Sequence, residues 1–266
     1  MSSPAFRAPT GRGLLAEIEG LRAVAVISVL LFHAHFGFSG GFVGVDVFFV
    51  LSGFLITRLL VRERETTGRI SLAAFYARRM RRLLPAATLV LLAIVVGSYV
   101  LYNPLRAHDT AVDAAWAAGF LANFRFGQLG TDYLASSNDP SLLQHWWSLA
   151  IEEQFYLVWP GLLAGAWALH RRVANSALMV CTVVAVSSFG ACWYLSGTNT
   201  SWAYFAPWSR AWELALGGMC AFVFRYRAKL PGRAWLGWCG MAAVLASAMV
   251  YDSSTTFPGV STLAPV

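Results

Sequence analysis

Long apolar runs separated by short arginine-rich segments set the pattern of this chain. A helix needs about 20 mostly apolar residues to cross the hydrocarbon core of a bilayer. Seven segments meet that requirement, at about 15–35, 42–61, 83–102, 145–169, 174–195, 208–224 and 234–251. The predicted fold class is therefore all-α, a polytopic transmembrane helix bundle. The first run contains Arg22 and His33 and is followed at once by a second, so it reads as a retained span and not a cleaved leader. An eighth run, 111–123, is apolar but short and carries Asp113.

The arginines decide how that eighth run is read. Without it as a span, the N-terminus is cytoplasmic, and the inner segments are 1–14, 62–82, 170–173 and 225–233. These hold fifteen of the twenty basic residues, against Arg106 and Arg125 outside and Arg22, Arg58 and Arg210 within spans. Such a bias is the usual signature of cytoplasmic loops. Residues 111–123 are then expected as an interfacial or re-entrant helix inside a long outer loop, 103–144. The turn-rich stretch Ser136-Ser137-Asn138-Asp139-Pro140 lies in the same loop.

Composition agrees. The chain is 58% hydrophobic and only 12% charged, where a soluble domain carries about 25% charged residues. The net charge of +7 would suggest nucleic acid in a soluble protein. Here it is accounted for by the inner loops, and no nucleic-acid partner is expected; the lipid bilayer is the first partner. Cys181, Cys192, Cys220 and Cys239 fall inside apolar runs without metal-site spacing, so no metal is expected.

Ionisable groups inside spans cost about 2.5–3.5 kcal/mol each by insertion scales and are functional candidates by default. Arg22 and His33 lie eleven residues apart, which puts them on one face of a helix about 16 Å apart. His33 suits a general base, and Arg22 suits an anionic or carbonyl group; a bundle histidine and a snorkelling arginine fit the spacing equally. Asp46 stands near the start of the second span, as a helix-end carboxylate or a partner for His33. Ser52-Gly53 invites close helix approach or a local break. Arg78, Arg79, Arg81 and Arg82 precede the third span, as an anion site or only a topology signal. In the fourth span His145, Ser148 and Glu152 share one stripe at i, i+3, i+7. The adjacent Glu152 and Glu153 have no easy packing explanation, and Glu152 is the preferred functional candidate. Arg210 and Glu213, at i, i+3, read first as an ion pair. The topology puts His33, Asp46, His145, Glu152, Arg210 and Glu213 at similar depth, which suggests one shared polar cavity open to the outside.

Four motifs carry a family resemblance. They are Arg22 and His33 with ten residues between, Gly44-Val45-Asp46-Val47-Phe48-Phe49-Val50-Leu51-Ser52-Gly53-Phe54, Arg79-x-x-Arg82 before Leu83-x-Pro85, and His145-x-Trp147-Ser148-Leu149-x-x-Glu152-x-Gln154-Phe155-Tyr156. In this order they resemble acyltransferase family 3, bacterial membrane O-acyltransferases acting on surface polysaccharides, peptidoglycan or macrolides. The resemblance implies an acyl-CoA donor, usually acetyl-CoA, bound from the cytoplasm near Arg78, Arg79 and Arg82 with Arg22 along the thioester path. It implies catalysis by His33. Glu152, Asp46 and Arg22, as polar groups within spans, are expected to act with it, and His145, Ser148, Arg210 and Glu213 are expected to contact the acceptor. Location in the inner membrane is expected. The family typically has about ten spans, so residues 1–266 are expected to be a membrane domain incomplete at its C-terminus, in some relatives followed by a hydrolase-like domain. A transporter or flippase, or an inactive truncated member, is the alternative reading.

Overall fold

The computed structural model describes residues 12–131, 140–169, 175–226 and 234–266. Every regular element among them is helical: α1 Arg12–His33, α2 Gly44–Thr67, α3 Leu72–Leu101, α4 Pro104–Ala118, α5 Ala122–Gln128, α6 Trp146–Leu169, α7 Ser176–Thr198, α8 Thr200–Phe205, α9 Pro207–Tyr226 and α10 Ala234–Val250. Short 3-10 turns occur at Gly41–Val43 and Val260–Leu263. Arg7, Arg171, Arg172, Arg227, Lys229 and Arg233 of the inner segments, and 136–139 of the outer loop, lie outside the described residues.

Each of the seven apolar segments coincides with a helix: α1, α2, α3, α6, α7, α9 and α10. Among the described residues, three helices are long and apolar enough to cross a membrane: Gly41–Thr67, Leu72–Leu101 and Ser176–Thr198. A shorter apolar helix runs over Trp235–Val250. On α3 and α7, Leu89, Val96, Val100, Val183, Val186 and Trp193 stand exposed. Apolar surface of that extent suits contact with lipid.

Two expectations are corrected. The inner loop expected over 62–82 shrinks to the four residues 68–71, because both flanking helices continue past their apolar parts. Gly68, at φ 76°, stops α2 and returns its N–H to the Arg64 carbonyl. Ser71 then caps α3 by accepting from the Ala74 N–H at 3.4 Å, while its own N–H donates to Glu63 at 2.8 Å. Arginine is a good helix former, so Arg78, Arg79, Arg81 and Arg82 ride on α3 itself.

The single helix expected over 111–123 is two helices. α4 starts earlier, at Pro104, where the ring's fixed φ suits the first helical position and the Asn103 side chain accepts from the Arg106 N–H at 2.9 Å. It ends at Gly119, and Phe120 adopts φ 54°, which breaks the helix before α5. Asp113, which marked this segment as unsuited to span, is matched by Arg125 at 3.2 Å and by the Ser141 hydroxyl at 2.6 Å. The pair of helices is tied to the bundle through Gln154, which donates to the Phe120 carbonyl at 2.7 Å and to Asn123 at 2.8 Å. Asn123 in turn donates to the Phe205 carbonyl at 3.0 Å.

The bundle is organised around α2 and α9, with α1 and α6 against α2 and α7 against α9. Their backbones meet at two glycines. A Cβ on Gly53 would lie 1.8 Å from the Leu214 carbonyl oxygen, and one on Gly217 would lie 1.9 Å from that of Val50. Small residues are how helices approach closely where water supplies no driving force. Below the crossing, Trp159 of α6 donates its indole N–H to Thr57 of α2 at 2.8 Å.

Candidate functional site

The polar residues fall into separate groups, not one cavity. At one end, His33 closes α1 and His145 immediately precedes α6. Their rings meet edge to face, with centroids 4.4 Å apart. Both residues are exposed. His33 Nδ1 lies 2.7 Å from the Val29 carbonyl, one turn back on the same helix. A carbonyl only accepts, so Nδ1 carries the proton and the lone pair of the neutral ring is on Nε2. That tautomer suits a base acting through Nε2.

One to two turns into α6, Glu152 receives two hydroxyls on one oxygen. Tyr156, at i+4, donates to Oε1 at 2.6 Å. Ser52 of α2 donates to the same oxygen. From sequence, Ser52 belonged to a small-residue pair that packing and catalysis explained about equally; its hydroxyl holds Glu152 where α2 and α6 pack together. Ser148, on the same stripe, turns its hydroxyl to the His145 carbonyl at 3.3 Å.

Glu153 has the partner that sequence reasoning missed. Arg79 of α3 grips it with two nitrogens, Nε at 3.0 and 2.9 Å from its two oxygens and Nη2 at 2.5 Å from Oε1. Such a planar two-nitrogen grip is arginine's characteristic geometry with carboxylates. The same guanidinium lies over the Tyr156 ring, 3.6 Å from its centroid. Arg79, expected in an open anion cluster, is therefore a bundle residue with a carboxylate and an aromatic face. Arg78 stands apart, half-exposed and 3.4 Å from Glu63. Arg82 and Arg22 are exposed.

Asp46, Arg210 and Glu213 form the third group, and none has any exposed surface. Arg210 Nη2 donates to Asp46 Oδ1 at 2.8 Å. Its Nη1 lies 3.1 Å from Glu213 Oε1, close enough for strong attraction but not aligned for a hydrogen bond, since both atoms lack a bonded partner. The spacing on α9 anticipated the Arg210–Glu213 contact. It did not anticipate Asp46 as the third member; Asp46 stands in the first turn of α2, as expected of a helix-end carboxylate, and meets Arg210 from there. Phe49, Trp147, Tyr204 and Phe257 surround the guanidinium with ring centroids 5.6–5.8 Å away. Sealed in this way, Arg210 and Glu213 present nothing to an acceptor, and Asp46 nothing to a reacting group. The shared outer cavity is corrected accordingly: His33 with His145 and Ser52 with Glu152 and Tyr156 remain as candidate chemistry, and the triad is bundle interior.

Along α6, His145 and Tyr156 are eleven residues apart, a rise of about 16 Å. The polar side chains on that rise run from the histidine pair, through Glu152, to Arg79 on α3. They lead from the exposed end of the bundle towards the arginine-rich start of α3. No group of three or more His, Cys, Asp or Glu able to hold a metal ion occurs among the described residues.

Comparison with known proteins gives a consistent result. An acyltransferase-domain family model matches residues 15–264. A peptidoglycan O-acetyltransferase, OatA, of Listeria monocytogenes is 37% identical over 225 residues, covering 83% of this chain and 36% of that protein. The putative peptidoglycan O-acetyltransferase YrhL of Bacillus subtilis is 38% identical over 213 residues, covering 78% and 33%. The O-acetyltransferase OatA of Staphylococcus aureus is 37% identical over 215 residues, covering 79% and 35%. The chain thus spans about a third of the length of these relatives. No solved structure matches. On the extent of the family match and the identity to these relatives, the chain belongs to acyltransferase family 3.

Proposed function

We propose that this protein is a membrane O-acetyltransferase that moves an acetyl group from cytoplasmic acetyl-CoA to a hydroxyl of peptidoglycan or a related envelope glycan. The observation that carries this reading is the exposed His33–His145 pair, with the His33 tautomer fixed by Val29. The names of the relatives favour a peptidoglycan acceptor over a macrolide.

The chemistry follows from Nε2. His33 accepts the proton of the acceptor hydroxyl as its oxygen attacks the thioester carbonyl. The carbon–oxygen bond forms, the carbon–sulfur bond breaks, and the departing thiolate takes the proton that His33 removed, which returns the imidazole to its neutral form. Glu152 is proposed to act in the polar path that leads to the pair, and His145 to border the acceptor. Arg78 and Arg82 supply cationic groups for the donor's phosphates at the arginine-rich end, and Arg22 lies along the path on α1. Arginine's planar fork suits phosphate. Seven crossings of the inner membrane, with the N-terminus and the start of α3 in the cytoplasm, would put donor and acceptor on opposite sides. The fifteen-to-two bias of basic residues supports that orientation.

The test is acetylation of envelope glycan in cells carrying wild type or His33→Ala, read by mass spectrometry. Loss of the acetyl ester is expected in the variant, and equal acetylation in both refutes the assigned base. A reporter fused after residue 130 is expected to read outside; a cytoplasmic signal overturns the orientation.

A further inference from the structure

Tyr156 touches both Glu152, midway along the proposed path, and Arg79, at its arginine-rich end. It is 4% exposed. Its hydroxyl donates to Glu152 Oε1 at 2.6 Å, and the face of its ring carries the Arg79 guanidinium at 3.6 Å. Neither contact can relax independently. Arg79 is also held edge-on by Glu153, the residue next to Glu152 on α6. Glu152 Oε1 is held from the other side by Ser52 of α2. Both hydroxyls converge on Oε1, so the carboxylate has a fixed rotation and Oε2 is the oxygen that carries neither of them. Three helices, α2, α3 and α6, are thereby pinned at one tyrosine.

We propose that Tyr156 is a positioning residue for acyl transfer, clamping Arg79 through its ring and Glu152 through its hydroxyl. This rests on the acetyltransferase reading above. It also gives Arg79 a task different from phosphate binding. With Nε and Nη2 committed to Glu153 and one face to the ring, Arg79 fixes the register of α3 against α6, and the donor's phosphates fall to Arg78 and Arg82. A tyrosine that merely filled space would tolerate loss of its hydroxyl, since phenylalanine has nearly the same shape. A clamp would not, and its two contacts report separately.

The experiment is steady-state kinetics of acetyl-CoA-dependent O-acetyl transfer by the full chain in membrane vesicles. Tyr156→Phe keeps the ring under Arg79 and removes only the donation to Glu152. Its kcat is expected to fall roughly tenfold or more, the worth of a hydrogen bond to a charged acceptor, with KM for acetyl-CoA unchanged. Tyr156→Leu removes both contacts, and KM is expected to rise several-fold on top of the fall in kcat. Ser52→Ala removes the other donor to the same oxygen and is expected to show the Phe-like split, which keeps the clamp on Glu152 testable should a Tyr156 variant misfold. Wild-type kcat in Tyr156→Phe, or an equal loss through KM alone in all three variants, overturns the proposal while leaving the enzyme reading intact. Absence of transfer by wild type overturns the enzyme reading and the proposal together.

Discussion

Arg210→Met should destabilise the bundle more than any other single change to a charged residue described above. The substitution leaves Asp46 and Glu213 facing each other with no exposed surface and no cation. Removing one partner of a buried ion pair costs about 3–5 kcal/mol, because the remaining charge stays desolvated. Here one cation serves two carboxylates, and four aromatic rings lose the guanidinium that they surround; the upper half of that range is expected. For a chain of this size, that corresponds to a fall in melting temperature on the order of 10 °C or more. Cys181 and Cys192 are free and buried, so a thiol-reactive fluorophore in detergent reports their exposure on heating. The reasoning makes a second demand. Asp46→Asn, Arg210→Met and Glu213→Gln together leave no charge in the interior, and this triple variant should recover at least half of the loss. A fall of less than about 1 kcal/mol in the single variant, or a triple variant no more stable than the single, refutes the account of the triad as a buried charge cluster held by its cation.

Further outcomes follow from the same structure. Gly53→Ala and Gly217→Ala put a Cβ within 1.8 and 1.9 Å of carbonyl oxygens on the facing helix; each should cost about 1–3 kcal/mol or more by forcing α2 and α9 apart. Gly97→Ala, which meets nothing within 4 Å, should be neutral or slightly stabilising in the same melt. Asn103→Ala removes the cap of α4 and should cost about 1 kcal/mol, measurable as faster amide exchange in the first turn of that helix. Gln154→Leu removes both bonds to the α5 region and should speed trypsin cleavage at Arg125 several-fold, with unchanged cleavage counting against Gln154 as the tie.

The helices were legible because the signal that makes them is local. Apolar runs of span length specified seven segments, and each is a helix. What the runs could not show was where a helix stops once it leaves apolar sequence. Arg78–Arg82 break the hydropathy of α3 without breaking its backbone, and only the Gly68 and Ser71 boundary marks its start. The early start of α4 had a readable cue in Asn103-Pro104, a cap followed by the residue best suited to a first turn, which apolar counting passes over.

The candidate site divides along the same line. The sequence by itself determined the chemistry available: His33, Glu152 and the arginines in family order, and the Arg210–Glu213 contact, since i, i+3 on one helix leaves little choice of neighbour. Only the tertiary structure decided who meets whom across helices. Asp46 and Arg210 are 164 residues apart, Arg79 and Glu153 74 apart, and Ser52 and Glu152 100 apart. Periodicity fixes which face of a helix a side chain occupies, but not how that helix is rotated or how deep it sits against another. Those are set by the Gly53 and Gly217 crossing and the fit of large side chains around it. Three polar groups at similar predicted depth therefore became one exposed histidine pair, one hydroxyl-bound carboxylate and one sealed triad.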